Sequence, residues 1–207
     1  MSSIFEKIYH DYLEEIRKID LHNLAQKINA KWNGKELILP LFSRLFFISK
    51  NGIKDQFGKI PSHSEIVVLS RYIIGYPSKQ ISSNKWKHYR DFKDSGPLLD
   101  TFKNNVENKI ASHFSGNKKA LFDCCKAVGG FPYSGEWNYD VSFLFHALPH
   151  IPMLLLFNDA DEMFPPTCTI LFKDSIEYFL DMESVAILGL ILTDYLLSQL
   201  RSLQFEE

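Results

Sequence analysis

Asp159, Asp161 and Glu162 directly follow the apolar run Met153 to Phe157, inside LPHIPMLLLFNDADEMFPP. A buried run of that kind fixes its own backbone, so the carboxylates after it are held at a defined edge. In an extended segment Asp159 and Asp161 project to one side about 7 Å apart, a spacing from which both reach one divalent cation or flank a substrate hydroxyl. Glu162 adds a third oxygen donor once the chain bends. With His150 as a further ligand, these acids would hold a cation that activates water, the chemistry of a metal-assisted hydrolase. The glycine and terminal glutamate of an EF-hand loop are absent at their offsets. A structural use competes with this one: Asn158 and Asp159 bond local amides and cap a buried strand.

A second constellation is WKHYRDF, Trp86 to Phe92. Its Arg90 guanidinium suits a carboxylate or phosphate, while Trp86 or Tyr89 stacks on a ligand ring. The alternative is a structural pin in which Arg90 pairs with Asp91, Asp159 or Asp161. His146 and His150 lie four apart, but Pro149 and Pro152 argue against a helix, and on a strand the spacing is about 13 Å, too long for one metal. Of the two, His150 is nearer the acids. Cys124, Cys125 and Cys168 offer neither a spaced zinc pair nor four thiolates, so no self-contained iron–sulfur cluster is expected and the thiols read as buried and reduced. VGGFP, at Val128 to Pro132, follows a helix and is a helix stop rather than a phosphate cradle.

The elements that must position these residues are legible from periodicity. Ile4, Ile8, Tyr12 and Ile16 predict an amphipathic helix over the first twenty residues, followed by a short helix at Leu21 to Ile28. Residues 36–57 predict an antiparallel meander with a tight turn at Asn51-Gly52. Ser62 or Ser64 caps a helix that Gly75 and Pro77 stop. A polar loop is expected from Ser78 to Ser95, then a helix from Gly96-Pro97 to about His113, and another ending at Gly129-Gly130. Alternation after Trp137, a fully apolar run at Ile151 to Phe157 and a short one at Ile170 to Phe172 predict strands over about 139–172. Helices at about Ser175 to Leu180 and Ser184 to Ser202 close the chain. The expectation is a single α+β domain over 1–207, with antiparallel strands packed against helical ends.

Length and composition support a packed core: 207 residues, 45% hydrophobic, with 17 Phe. Lys and Arg total 23 against 25 Asp and Glu, a formal charge of −2 that supplies no field for phosphate backbones or anionic lipid. The basic stretch Lys79, Lys85, Lys87, His88 and Arg90 is blunted by Asp91 and Asp94, so nucleic acid is not the expected partner. The opening MSSIFEKIYHDYLEEI lacks the apolar run of a signal peptide, and Val185 to Leu192 is half the length of a bilayer span. The expected location is cytoplasmic.

In order, WKHYRDF, the glycines at 129 and 130, YDVSFLF, LPHIPMLLLFNDADEMFPP, ILF and YFLDMES resemble a domain-of-unknown-function family of anaerobic bacteria and archaea. The resemblance covers about Tyr89 to Leu200 well and the N-terminal part loosely. It implies an intracellular α+β domain, with some members joined to iron–sulfur or corrinoid-associated segments, and it carries over no catalytic residue. The expectation is therefore a binding or accessory module recognising a small anionic ligand, a cofactor-bearing protein or both. A metal-assisted hydrolase using Asp159 and Asp161, and an oligomeric structural protein burying its aromatic surplus between subunits, are the alternatives.

Overall fold

The computed structural model describes residues 3–78, 85–135 and 138–204. Lys79 and Trp137, both used in reading the sequence, lie outside them. The chain is α+β, with two antiparallel sheets.

The N-terminal half is built by short-range signals. Helix α1 (Ser3–Arg17) is followed by α2 (Leu21–Lys27), whose first turn is capped by Asp20 accepting from the Asn23 N–H. A meander of β1 (Lys31–Trp32), β2 (Leu37–Leu41), β3 (Arg44–Ser49) and β4 (Gly52–Asp55) forms the first sheet in sequence order. Asn51-Gly52 makes the predicted turn, with Ser49 facing Gly52 across it and Gly52 at φ +153°. Helix α3 (His63–Ile74) starts on a capping box in which Ser62 Oγ accepts from the Glu65 N–H and Glu65 accepts from the Ser62 N–H.

The second sheet runs in the order β5 (Trp86–His88), β9 (Thr167–Lys173), β8 (Ile151–Asn158), β7 (Val141–Leu148), β6 (Phe131–Pro132). Strand β8 is its centre. Met153, Leu155 and Phe157 enter the main core, while Leu154 and Leu156 join Leu171 on the opposite face under Trp86, Tyr133 and Tyr139. That two-sided burial explains a run with no alternation. The short edge strands β5 and β6 correct the sequence reading, which placed β5 in a polar loop and took residues 131–132 as a helix stop alone.

Between the edge strands the chain forms α4 (Leu99–Phe102), a π-helical turn (Lys103–Glu107), α5 (Asn108–Phe114) and α6 (Lys118–Ala127), which cover the inner face. A helix over this range was expected; its π turn was not. The turn brings Val106 and Glu107 inward together, and Glu107 accepts from the Ile170 N–H at 3.0 Å and from Lys103 Nζ at 3.1 Å. Ile170 lies just beyond the end of β5, where its N–H has no strand partner, so the carboxylate replaces the missing ladder bond.

Helix α7 (Met182–Gln204) packs against α3 and α6. Among the described residues it is the one helix long and apolar enough to cross a membrane, yet 61% of its apolar window is buried inside the fold. Residues of both sheets and the helices share one contiguous core, and the sheets are stitched where the Phe42 N–H donates to Ala147 O at 2.8 Å. The three cysteines are buried free thiols.

Candidate functional site

The end of the second sheet is assembled by one hairpin register. Val141 faces Phe157, so Asp140 stands beside Asn158 one step further along the ladder. The Asp140 N–H donates to Asn158 Oδ1 at 3.2 Å, and Asp140 Oδ2 accepts from the Asp159 N–H at 2.8 Å. Asp140 Oδ1 accepts from Lys118 Nζ at 3.0 Å. Asp140 is held below the usual carboxylate range, first by the Asp159 amide and then by Lys118, with slight burial opposing them.

The following loop is organised by its own acids. Asp159 Oδ1 accepts from the N–H groups of Gly116 and Ala160, each at 2.8 Å. Asp161 Oδ1 accepts from Met163 (2.8 Å) and Phe164 (2.7 Å), while the Asp161 N–H donates to Phe164 O at 3.0 Å. The segment is thus the closed polar turn that the structural reading of the sequence describes, not the extended segment that the shared-cation reading assumed, because short acidic side chains satisfy local amides better than solvent-facing β backbone does. Beside it is an open, polar cleft of about 590 Å³ whose lining includes Lys118, Asp140, Asp159, Asp161 and Thr167. In the same loop Met163 is 80% exposed, and Phe164, which also lines the cleft, is 64% exposed.

Asp159 and Asp161 therefore share one cleft, and Glu162 is exposed beside them. His150 does not join them. It sits in the turn before β8, and the acids follow that strand, roughly 30 Å away at the rise of an extended chain. This corrects the three-ligand expectation: one cation cannot bind His150 together with Asp159 and Asp161. No group of three or more His, Cys, Asp or Glu placed to hold a metal occurs among the described residues. His150 has φ +63° and its ring lies parallel to Phe179.

The WKHYRDF residues are separated by their strand. Trp86 lies on the outer face of the sheet with Lys173 Nζ 4.0 Å from its ring centroid. Tyr89 is buried, stacked on Phe102 at 4.3 Å, and donates to Met182 O at 2.8 Å. Burial, with Asp181 and Glu183 adding to it, pushes its phenol up to about 12. Trp86 does not line the hollow beside Arg90, and Tyr89, which does, has one ring face taken by Phe102. Arg90 itself is exposed and 3.9 Å from Asp91, over a hollow of about 310 Å³ that Asp100 and Glu107 also line. With Lys103, paired to Glu107, also in the lining, two acids stand against two cations and leave no net charge to draw an anion there. The Arg90 hollow and the acidic cleft share no residue.

Asp140 and Lys118 were missed as site residues. A two-residue turn at Pro149-His150 already sets Asp140 close to Asn158 and Asp159, and the bulge between His146 and Leu148, which has no sequence signal, shifts it to Asn158; Lys118 had no sequence signal either. No curated protein and no solved structure matches the chain. A family model does match, over residues 20–195, and on that extent the chain belongs to the family described as a domain of unknown function, DUF3786.

Proposed function

We propose that this chain is a binding or accessory module that recognises a partner protein through the loop 159–166. The observation that supports this reading is the exposed Met163–Phe164 pair on a backbone held by the Asp159 and Asp161 carboxylates. A loop with those internal bonds has little freedom to turn its apolar side chains away from water. Methionine and aromatic residues are favoured in interface cores, and a pre-ordered loop loses little entropy on docking. Asp161 and Glu162 beside the pair favour a partner surface that sets Lys or Arg around an apolar pocket. The resemblance read from the sequence, which implies that some family members are joined to iron–sulfur or corrinoid-associated segments, draws the partner class towards cofactor-bearing proteins.

The test is a photo-crosslinking phenylalanine analogue at position 164 in the native cell, with the same analogue at exposed Tyr178 as the control. One defined partner captured at 164 and not at 178, and lost on Asp161→Ala, supports the reading. No product beyond the control contradicts it.

A metal-assisted hydrolase draws support from Asp159 and Asp161 lining one cleft, each with Oδ2 outside any hydrogen bond among the described residues. Elemental analysis of the purified protein separates the two readings. Stoichiometric metal that disappears in Asp159→Ala/Asp161→Ala would favour the hydrolase.

A further inference from the structure

In the N-terminal half, three lysines from three different connections line one hollow of about 560 Å³ that shares no residue with the acidic cleft. Lys18 comes from the α1–α2 connection, Lys35 from the β1–β2 turn and Lys50 from the β3–β4 turn. Lys18 is paired with Glu15 at 2.5 Å. Lys35 and Lys50 have no ion-pair partner among the described residues. The one acid in the lining, Asp20, spends Oδ1 on the α2 cap. Asp20 keeps its charge while it caps the helix, and Glu15 offsets Lys18, so Lys35 and Lys50 leave the hollow a small net positive charge in a chain whose formal charge is −2.

Its wall is aromatic. Trp32 is half-buried and lies 5.6 Å from the His22 ring, tilted against it. The rim is also held in place: Arg17 Nε donates to Lys50 O at 2.9 Å, and the Ile53 N–H donates to Tyr9 Oη at 2.8 Å. Both bonds fasten the turn carrying Lys50 to α1, which precedes the family-matched residues. A void of this size falls within the range that holds small molecules.

We infer that this hollow binds a small phosphorylated ligand with a planar ring, the chemistry of a mononucleotide. The phosphate sits among Lys18, Lys35 and Lys50, and the ring lies on Trp32. The site is separate from the acidic loop and does not depend on what that loop binds.

Titration calorimetry of the full chain with AMP is the test, against the variants Lys35→Gln/Lys50→Gln and Trp32→Leu and the control Lys126→Gln. Lys35 and Lys50 are exposed, so the double lysine variant keeps its fold even if Trp32→Leu does not. Saturable binding is expected, weakened about tenfold or more in the double lysine variant and unchanged in the control. No saturation at millimolar AMP, or a double lysine variant that binds like the parent, overturns the inference. Pyrophosphate binding as tightly as AMP would overturn the role given to Trp32.

Discussion

Asp140 accepts the Asp159 backbone N–H at 2.8 Å and thereby ties the residue before β7 to the residue after β8. The bond closes the open end of the hairpin, where the ladder stops and an acidic loop would otherwise fray. Lys118 adds a third segment, the start of α6, to the same carboxylate.

This arrangement makes loop stability depend on pH with a definite sign. The Asp140 pKa is lowered, so its contribution is complete above the ordinary value of 3.8 and is lost as pH falls through the folded one. Asp140→Asn keeps an oxygen for the Asp159 amide and removes the charge. The variant is expected to be less stable than the parent by up to about 1 kcal/mol at neutral pH, a small figure because water competes at this exposed site. The difference should vanish in urea melts well below pH 3.8. A gap of constant size would assign the cost to packing instead.

Glu107 is expected to matter more. Removing it by Glu107→Ala leaves the buried Ile170 N–H without an acceptor, at a cost of about 1–3 kcal/mol. Glu107→Gln keeps the acceptor and recovers part of that loss. Urea denaturation of the two variants checks the order, and equal losses would mean that the hydrogen bond contributes little.

His150 is predicted to serve the turn and not a metal. Its φ of +63° follows Pro149, a pattern that favours glycine at that position. His150→Gly relieves the backbone and loses the ring beside Phe179, so stability should stay within about 1 kcal/mol of the parent. Metal content by elemental analysis should not change. Loss of bound metal in this variant alone would restore the histidine as a ligand.

The exposed loop pair supplies a contrasting case. Met163→Ser/Phe164→Ser removes apolar surface already in water, so thermal stability should move by less than about 0.5 kcal/mol. Crosslinking through a probe placed next to the pair, at Glu162, should be lost. A large fall in stability would show the pair to be packed within the fold.

Much of the fold could be read from local signals, because local chemistry decides it. Ser62 and Glu65 stand at capping-box spacing, Asn51-Gly52 demands its turn, and the Leu154 to Leu156 run is a strand buried on both faces. Features set by distant partners could not be read this way. Strand β5 forms because β9 offers it an edge, and the π turn is stabilised where Glu107 meets Ile170, 63 positions away in sequence. The candidate site divides along the same line. Asp159 and Asp161 were visible as a cluster, but their use in building the loop depends on Gly116 and Phe164 lying where the fold puts them. His150 and the acids are neighbours in sequence and distant in space, because a fully extended strand separates them.

The central claim is that the acids hold the loop rigid in the free protein, so that Met163 and Phe164 are presented in advance of any partner. Backbone ¹⁵N relaxation at these two amides tests it most directly. The account predicts order parameters near the rigid-backbone value of about 0.85, falling when Asp161→Ala removes their acceptor. Values below about 0.6 in the parent protein would contradict it.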